Sequence, residues 1–225
     1  ECTGRDLEAV LRVPREKITV APLGCARAFS MPMSPIAAEA TLRKHKIAMP
    51  YILYVGRIQP RKNLPRLIEA FSSVVAKQPR LKHRLVIAGE DGWMPESTRA
   101  AAEKSPVRDR IQFTGFFPEQ ELPALISAAD ALALVSLWEG FGLPALEAMA
   151  CGTAVLASNT SSLPEVVGDA GCLVDPNDAN AIAAGLERLL TDNSYRNGLA
   201  AKGPSRAAQF SWENTARKIV EAAKK

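Results

Sequence analysis

Histidine is almost missing from this chain: His45 and His83 are the 2 among 225 residues. Neither sits in an H-E-x-x-H pattern and no D-x-D run occurs, so no metal site with ligand spacing is visible. The four cysteines, Cys2, Cys25, Cys151 and Cys172, stand far apart with no C-x-x-C pair. Such usage is that of a reduced, intracellular protein in which cysteine serves as a small apolar residue. No apolar run nears 18 residues and no secretory signal pattern is seen, so nothing reads as a membrane span. Aromatic residues are few, at 6%, and no RNA- or DNA-binding motif accompanies the net charge of +4, which argues against nucleic acid. Repeats, low-complexity tracts and hairpin signals are also missing.

What is present is enough apolar residue, 47%, for one good core, with an ordinary 23% charged. The basic clusters Arg43-Lys44-His45-Lys46, then Arg57, Arg61, Lys62 and Arg66, then Arg80, Lys82, His83 and Arg84 read as solvated faces. Residues 1–35 read as a preamble that belongs to something preceding: a helix over Arg5 to Leu11, a short strand over Ile18 to Gly24, and the proline-punctuated stretch 29–35. The chain is therefore expected to be a piece of a longer protein, with residues 36–225 as its own domain.

From Tyr51 the rhythm is strict. Expected strands are Tyr51 to Val55, Leu85 to Ala88, Ile111 to Gly115, Ala131 to Leu137, Thr153 to Ala157 and Cys172 to Val174. Expected helices are Ile36 to Lys46, Leu64 to Lys77 with Asn63 as its N-cap, Glu96 to Glu103, Glu119 to Ala128, Ala145 to Ala150, Pro164 to Val167, Ala179 to Leu190 and a last one capped by Ser211. Strands alternating with helices predict an α/β fold, a Rossmann-like parallel sheet of about six strands with helices on both faces.

The chain is organised around Val135 to Asn159, which reads VSLWEGFGLPALEAMACGTAVLASN. A buried strand runs into Glu139-Gly140-Phe141-Gly142, and Leu143-Pro144 opens a helix that Gly152 closes. A helix N-terminus at the carboxyl end of a parallel strand is where phosphates bind. Glu139 before the turn and Glu147, placed in the first helical turn, are expected to flank one ligand. The plain alternative is that Glu139 is a solvated loop acid and that Glu147 only complements the helix dipole. Gly140 to Ala145 also fits the dinucleotide pattern G-x-G-x-x-A, but the next strand ends in Ser158-Asn159 rather than the acid that would hold a ribose. A second turn, Gly56 to Asn63, lies on the same rim. Its Arg57 and Lys62 suit a diphosphate, the first as a fork and the second as a point charge. The two turns together suggest transfer of a glycosyl group with a nucleoside diphosphate leaving. One charged donor to the growing phosphate charge is worth about 3 kcal/mol.

Gly56-Arg57 followed by Lys62-Asn63, Glu139-Gly140-Phe141-Gly142 with Glu147 in an E-x7-E arrangement, Ser162 to Val167 and Phe210-Ser211-Trp212-Glu213 together resemble the C-terminal domain of family-4 retaining glycosyltransferases of the GT-B fold. Residues 1–35, from Arg5-Asp6-Leu7 to Pro22-Leu23-Gly24, are similar to the tail of that family's N-terminal domain and its interdomain linker. The resemblance implies that Arg57, Lys62 and Glu139 act on the reacting centre. It implies a donor site of Gly56, Arg57, Lys62, Gly115, Phe116, Glu139, Gly140, Phe141, Gly142, Leu143 and Glu147. Within it, Arg57 and Lys62 hold the diphosphate, Glu147 the ribose and Glu139 the sugar hydroxyls, while Thr114 to Phe116 and the loop after Gly89 border the base.

The reaction so implied needs no metal and no cofactor beyond the donor, a nucleotide-diphosphate sugar, and the leaving phosphate helps to take the acceptor's proton. Partners implied are that nucleotide sugar and a glycan or lipid-linked acceptor held by an N-terminal domain, with no nucleic acid. The location implied is cytoplasmic, extending to peripheral association of the full-length protein with the inner face of the membrane. That N-terminal domain contributes a histidine near the reacting centre, and neither His45 nor His83 lies in a matching motif. This chain alone is thus expected to bind donor weakly and transfer little. The wording of Thr160 to Asp178 is most similar to mannosyltransferases of bacterial polysaccharide assembly, which makes GDP-mannose the expected donor. The other reading is a catalytically inactive nucleotide-sugar-binding or regulatory module of the same fold.

Overall fold

The structure, a computed structural model, describes residues 1–31, 33 and 35–224. Pro32 and Ser34, within the expected linker, and Lys225 lie outside the described residues. In chain order the elements are α1 (Cys2–Leu11), α2 (Pro35–Lys44), β1 (Tyr51–Val55), α3 (Leu64–Lys77), β2 (Arg84–Ala88), α4 (Glu96–Glu103), β3 (Ile111–Gly115), α5 (Leu122–Ser127), β4 (Ala131–Leu134), α6 (Leu143–Ala150), β5 (Ala154–Ser158), α7 (Leu163–Val167), β6 (Cys172–Val174), α8 (Ala179–Thr191), α9 (Asn193–Ala207) and α10 (Trp212–Ala222).

The strands form a 6-stranded sheet in the order β3-β2-β1-β4-β5-β6. Every neighbouring pair is parallel. Short continuous apolar runs produce this because the four central strands are covered on both faces: Tyr51 to Tyr54, Leu85 to Ala88, Ala131 to Leu134 and Ala154 to Ala157 are buried, while the edge strands β3 and β6 are mostly half-buried. The stripe Leu67, Ile68, Phe71, Val74 and Val75 of α3 is buried, as is Ile182, Leu186, Leu189 and Leu190 of α8, and the two helices pack together.

Several expectations are corrected. Ile18 to Gly24 pairs with no strand; its backbone instead meets the start of α10, where Cys25 N donates to Phe210 O at 3.2 Å and Thr215 donates to the Pro22 carbonyl. Asn63 stands at the N-cap of α3 but does not cap it through its side chain. Its φ of 59° turns the amide inward, where Nδ2 donates to Val135 O at 3.0 Å and Pro176 O at 2.7 Å. The stretch from Glu119 begins as a single 3-10 turn, Glu119–Glu121, before α5. Sheet pairing of the central strand ends at Leu134, and Leu137 N donates to Arg61 O at 2.8 Å instead.

α9 is a helix that the sequence does not announce. Gly198, Gly203 and an internal Pro204 read as breakers. At Gly203 the reason is contact: a Cβ there would lie 2.7 Å from Met149 O, so the missing side chain lets α9 settle against α6.

Candidate functional site

The strand order reverses between β1 and β4, so the turns after these two adjacent strands open side by side at their carboxyl ends. In open parallel sheets that crevice is where ligands bind. Gly56, Gly89 and Gly115 end β1, β2 and β3 in a row, at φ of 140°, 153° and 70°. They are stitched together by Gly56 N donating to Ala88 O and Gly89 N to Gly115 O, both at 2.9 Å. Thus Gly115 and the loop after Gly89 share one edge of the crevice, with Phe116 projecting from it, 67% exposed.

Across the crevice the two turns lock onto each other through charge. Lys62, carried by the 3-10 turn Pro60–Lys62, is buried, and so is Glu139. Lys62 Nζ lies 2.5 Å from Glu139 Oε1, and Ser136 Oγ donates to the same oxygen at 2.7 Å. Arg61 Nη1 donates to Glu139 Oε2 and to Trp138 O, each at 3.0 Å. The Glu139 backbone is held as well: its N–H donates to Ser161 Oγ at 3.0 Å and its carbonyl accepts from Ser162 Oγ at 2.9 Å. Burial works to push the Glu139 carboxyl up, yet Lys62, Ser136 and Arg61 together hold it below its ordinary value. Burial also draws the Lys62 ammonium down, against the pull of Glu139. A solvated loop acid is therefore excluded as a description of Glu139.

Arg57 and Lys62 are not a pair of free cations over the rim. Arg57 is exposed and, among the described residues, has no carboxylate within ion-pair distance, whereas Lys62 is sequestered by Glu139. Gly142 caps α6 with φ 102°, its carbonyl accepting from Ala145 N at 3.0 Å and Leu146 N at 3.2 Å. Leu143 and Pro144 open the helix, so Glu147 starts its second turn rather than lying in the first. Phe141 is spoken for structurally, packing edge-on against Phe210 with ring centroids 5.7 Å apart. Gly140 leaves room beside the Trp138 ring, 3.9 Å from where its Cβ would be. Glu139 to Pro144 also wall a cleft of about 970 Å³ whose far side is α1 and residues 18–23. Arg57, Lys62 and Glu147 stand outside it.

Glu147 is largely buried, and among the described residues no cation offsets its charge. Burial, and then the nearby Glu119 carboxylate, raise its pKa from 4.5 to about 7. Because the folded state holds this proton more tightly than the unfolded chain, the associated stability is present below pH 4.5 and lost as pH rises through about 7. At pH 8 Glu147→Gln should raise stability by on the order of 2 kcal/mol, with little change at pH 4.5, measured by denaturant midpoints at both values. A gain of equal size at both pH values would show that the carboxyl's titration is not the cause. The same carboxylate sits near two thiols. Burial and Glu147 push Cys25 up to about 12, and burial pushes Cys151 up to about 11 despite a hydrogen bond with Ser127. Both are protonated at neutral pH and poor nucleophiles. All four cysteines are free.

Both histidines lie on carboxylates elsewhere: His45 Nε2 is 2.5 Å from Glu121 Oε2, and His83 Nε2 is 2.9 Å from Asp130 Oδ2. Among the described residues no three of histidine, cysteine, aspartate and glutamate gather to hold a metal ion, and no helix is long and apolar enough to cross a membrane. Sequence reasoning missed Arg61, Ser136, Ser161 and Ser162 as parts of the site. Arg61 was hidden in a basic cluster read as solvated, and only its place beside Lys62 hinted otherwise.

The family profile for glycosyl transferases group 1 matches residues 39–206, which include both turns and every strand. The chain belongs to this family. Among the relatives of this group 1 chain, O-antigen chain mannosyltransferase B of Escherichia coli is 39% identical over 212 residues, 94% of this chain and 55% of that protein. The chain thus spans about half the length of that relative. Sucrose-phosphate synthase from Thermosynechococcus elongatus superposes with a TM-score of 0.83 at 28% identity, over 99% of this chain and 56% of that one. The C-terminal domain of a group 1 glycosyl transferase from Francisella tularensis superposes at 0.71 with 29% identity, over 83% of this chain and 97% of that domain. The group 1 chain accordingly has the α/β Rossmann-like fold of GT-B glycosyltransferases.

Proposed function

We propose that this chain is the donor-binding half of a retaining glycosyltransferase. Residues 36–225 would be the C-terminal nucleotide-sugar domain, and residues 1–35 the tail of an N-terminal domain with its linker. The observation that carries this is the meeting of Lys62, Arg61 and Glu139 in the crevice between β1 and β4, with an unpaired Arg57 at its mouth. The likeness to an isolated C-terminal domain from the same family supports the division.

In this reading the donor's diphosphate recruits Arg57 as a fork and draws Lys62 away from Glu139 as a point charge. Glu139 then accepts from sugar hydroxyls, and Glu147 from the ribose. Gly56, Gly115, Phe116 and the backbone from Gly140 to Leu143 shape the walls, with Phe141 bracing them from behind. The bond from the anomeric carbon to the phosphate oxygen breaks while a bond to the acceptor hydroxyl oxygen forms on the same face. The acceptor's proton passes to the leaving phosphate oxygen. The cations stabilise the charge growing there, so no metal is needed. The donor is GDP-mannose and the acceptor a glycan or lipid-linked sugar held by the preceding domain, in the cytoplasm at the membrane's inner face. The name of the Escherichia coli relative, a mannosyltransferase of O-antigen chains, supports this choice.

Calorimetric titration of this chain with GDP, UDP and ADP tests the proposal. GDP should bind best, and an Arg57→Ala/Lys62→Ala variant should lose at least about a hundredfold in affinity, since two charge-assisted contacts go. Absence of binding by all three nucleotides, or equal binding by the variant, would overturn it.

A further inference from the structure

Glu139 has two cationic neighbours, and the proposed reaction takes one of them away. Lys62 is the partner that a phosphate oxygen must capture, and it bonds to Glu139 through Oε1 alone. Once it turns, Oε1 keeps a neutral donor, Ser136 Oγ at 2.7 Å. The charge left on the carboxylate is then Arg61, on the other oxygen. We propose that Arg61 is a positioning residue for sugar recognition: it keeps Glu139 ionised and aimed at the donor sugar while Lys62 serves the diphosphate. The inference rests on the donor-binding reading above.

Geometry separates Arg61 from the phosphate-binding pair. Its Nη1 serves two oxygens of the Glu139 loop at once, Oε2 of Glu139 and the Trp138 carbonyl, both at 3.0 Å. Its own carbonyl accepts from Leu137 N at 2.8 Å, so backbone and side chain both fasten it to that loop. Arg57, by contrast, has no such commitment. Arg61 is also 41% exposed on its side chain, against 8% for Lys62, so it can hold the carboxylate at the edge of the crevice without needing a second counter-charge. Lys62 cannot be spared for this duty while a phosphate holds it, and a serine hydroxyl alone does not keep a buried carboxylate ionised.

The readout is the ratio of affinities for a sugar nucleotide and its parent nucleotide, GDP-mannose against GDP and UDP-glucose against UDP, taken for the pair that the unaltered chain binds better. Arg61→Ala should lower that ratio about tenfold, the worth of one charge-assisted hydrogen bond. Arg61→Lys, which restores charge but not the guanidinium geometry that reaches Glu139 and Trp138 at once, should recover part of it. In a Glu139→Gln background Arg61→Ala should leave the ratio where Glu139→Gln alone puts it, because the two residues act as one unit. An unchanged ratio in Arg61→Ala, or an equal further drop in the Glu139→Gln background, would overturn the assignment. Failure of the unaltered chain to bind any of these nucleotides would instead overturn the donor-site reading, and the role of Arg61 with it.

Discussion

Glu139→Ala is expected to cost about 3 kcal/mol of folding stability, because breaking a buried ion pair from one side strands the other charge. Lys62 is 7% exposed and its ammonium would lose its carboxylate, while Ser136 Oγ and Arg61 would lose an acceptor each. The diagnostic companion is Glu139→Ala/Lys62→Met, which removes the stranded charge and should recover part of the loss. Urea midpoints of parent, single and double variants measure this. A double variant as unstable as the single one would show that uncompensated charge is not what Glu139 prevents. The pH dependence has a definite sign. The Glu139 carboxyl is held below its ordinary 4.5, so its contribution is present above that value and lost as pH falls through the depressed one. Glu147 behaves in the opposite sense, losing its contribution as pH rises.

Gly89→Ala should be at least as damaging, on the order of 3 kcal/mol or more, and should abolish nucleotide binding with it. Gly89 has φ 153°, and a Cβ there would lie 2.0 Å from Gly56 O. The clash is with backbone, which no rotamer change relieves, and it falls where β1 hands the chain to the turn bearing Arg57, Arg61 and Lys62. A chemical-denaturation midpoint within about 0.5 kcal/mol of the parent would mean that the two strand ends have more room than the geometry allows.

Much of the fold was legible because fully buried parallel strands leave short unbroken apolar runs, and helices between them leave stripes. Tyr51–Val55 and Ala131–Leu134 were marked this way, as was α3. α9 was not, since Gly203 and Pro204 signal a break by local preference and are overruled by its packing on α6. Ile18 to Gly24 has a strand's composition but meets the start of α10 rather than an edge of the sheet, and pairing, not composition, makes a strand. Asn63 has a cap's identity, but the bonds waiting at Val135 O and Pro176 O draw its amide away from the helix.

Local pattern was enough to put Arg57, Lys62, Glu139 and the glycine turns at the carboxyl ends of strands, since alternating strands and helices admit a parallel sheet and little else. Tertiary structure alone decided that β1 and β4 are neighbours, and hence that Lys62 meets Glu139 across a sequence separation of 77. It alone turned Arg61 from a surface cation into the second partner of that carboxylate and set Glu147 beside the like charge of Glu119. The physical reason is one of range. Local patterns record which face of each element is buried, while sheet order and the partner of a buried charge follow from the packing of the whole core.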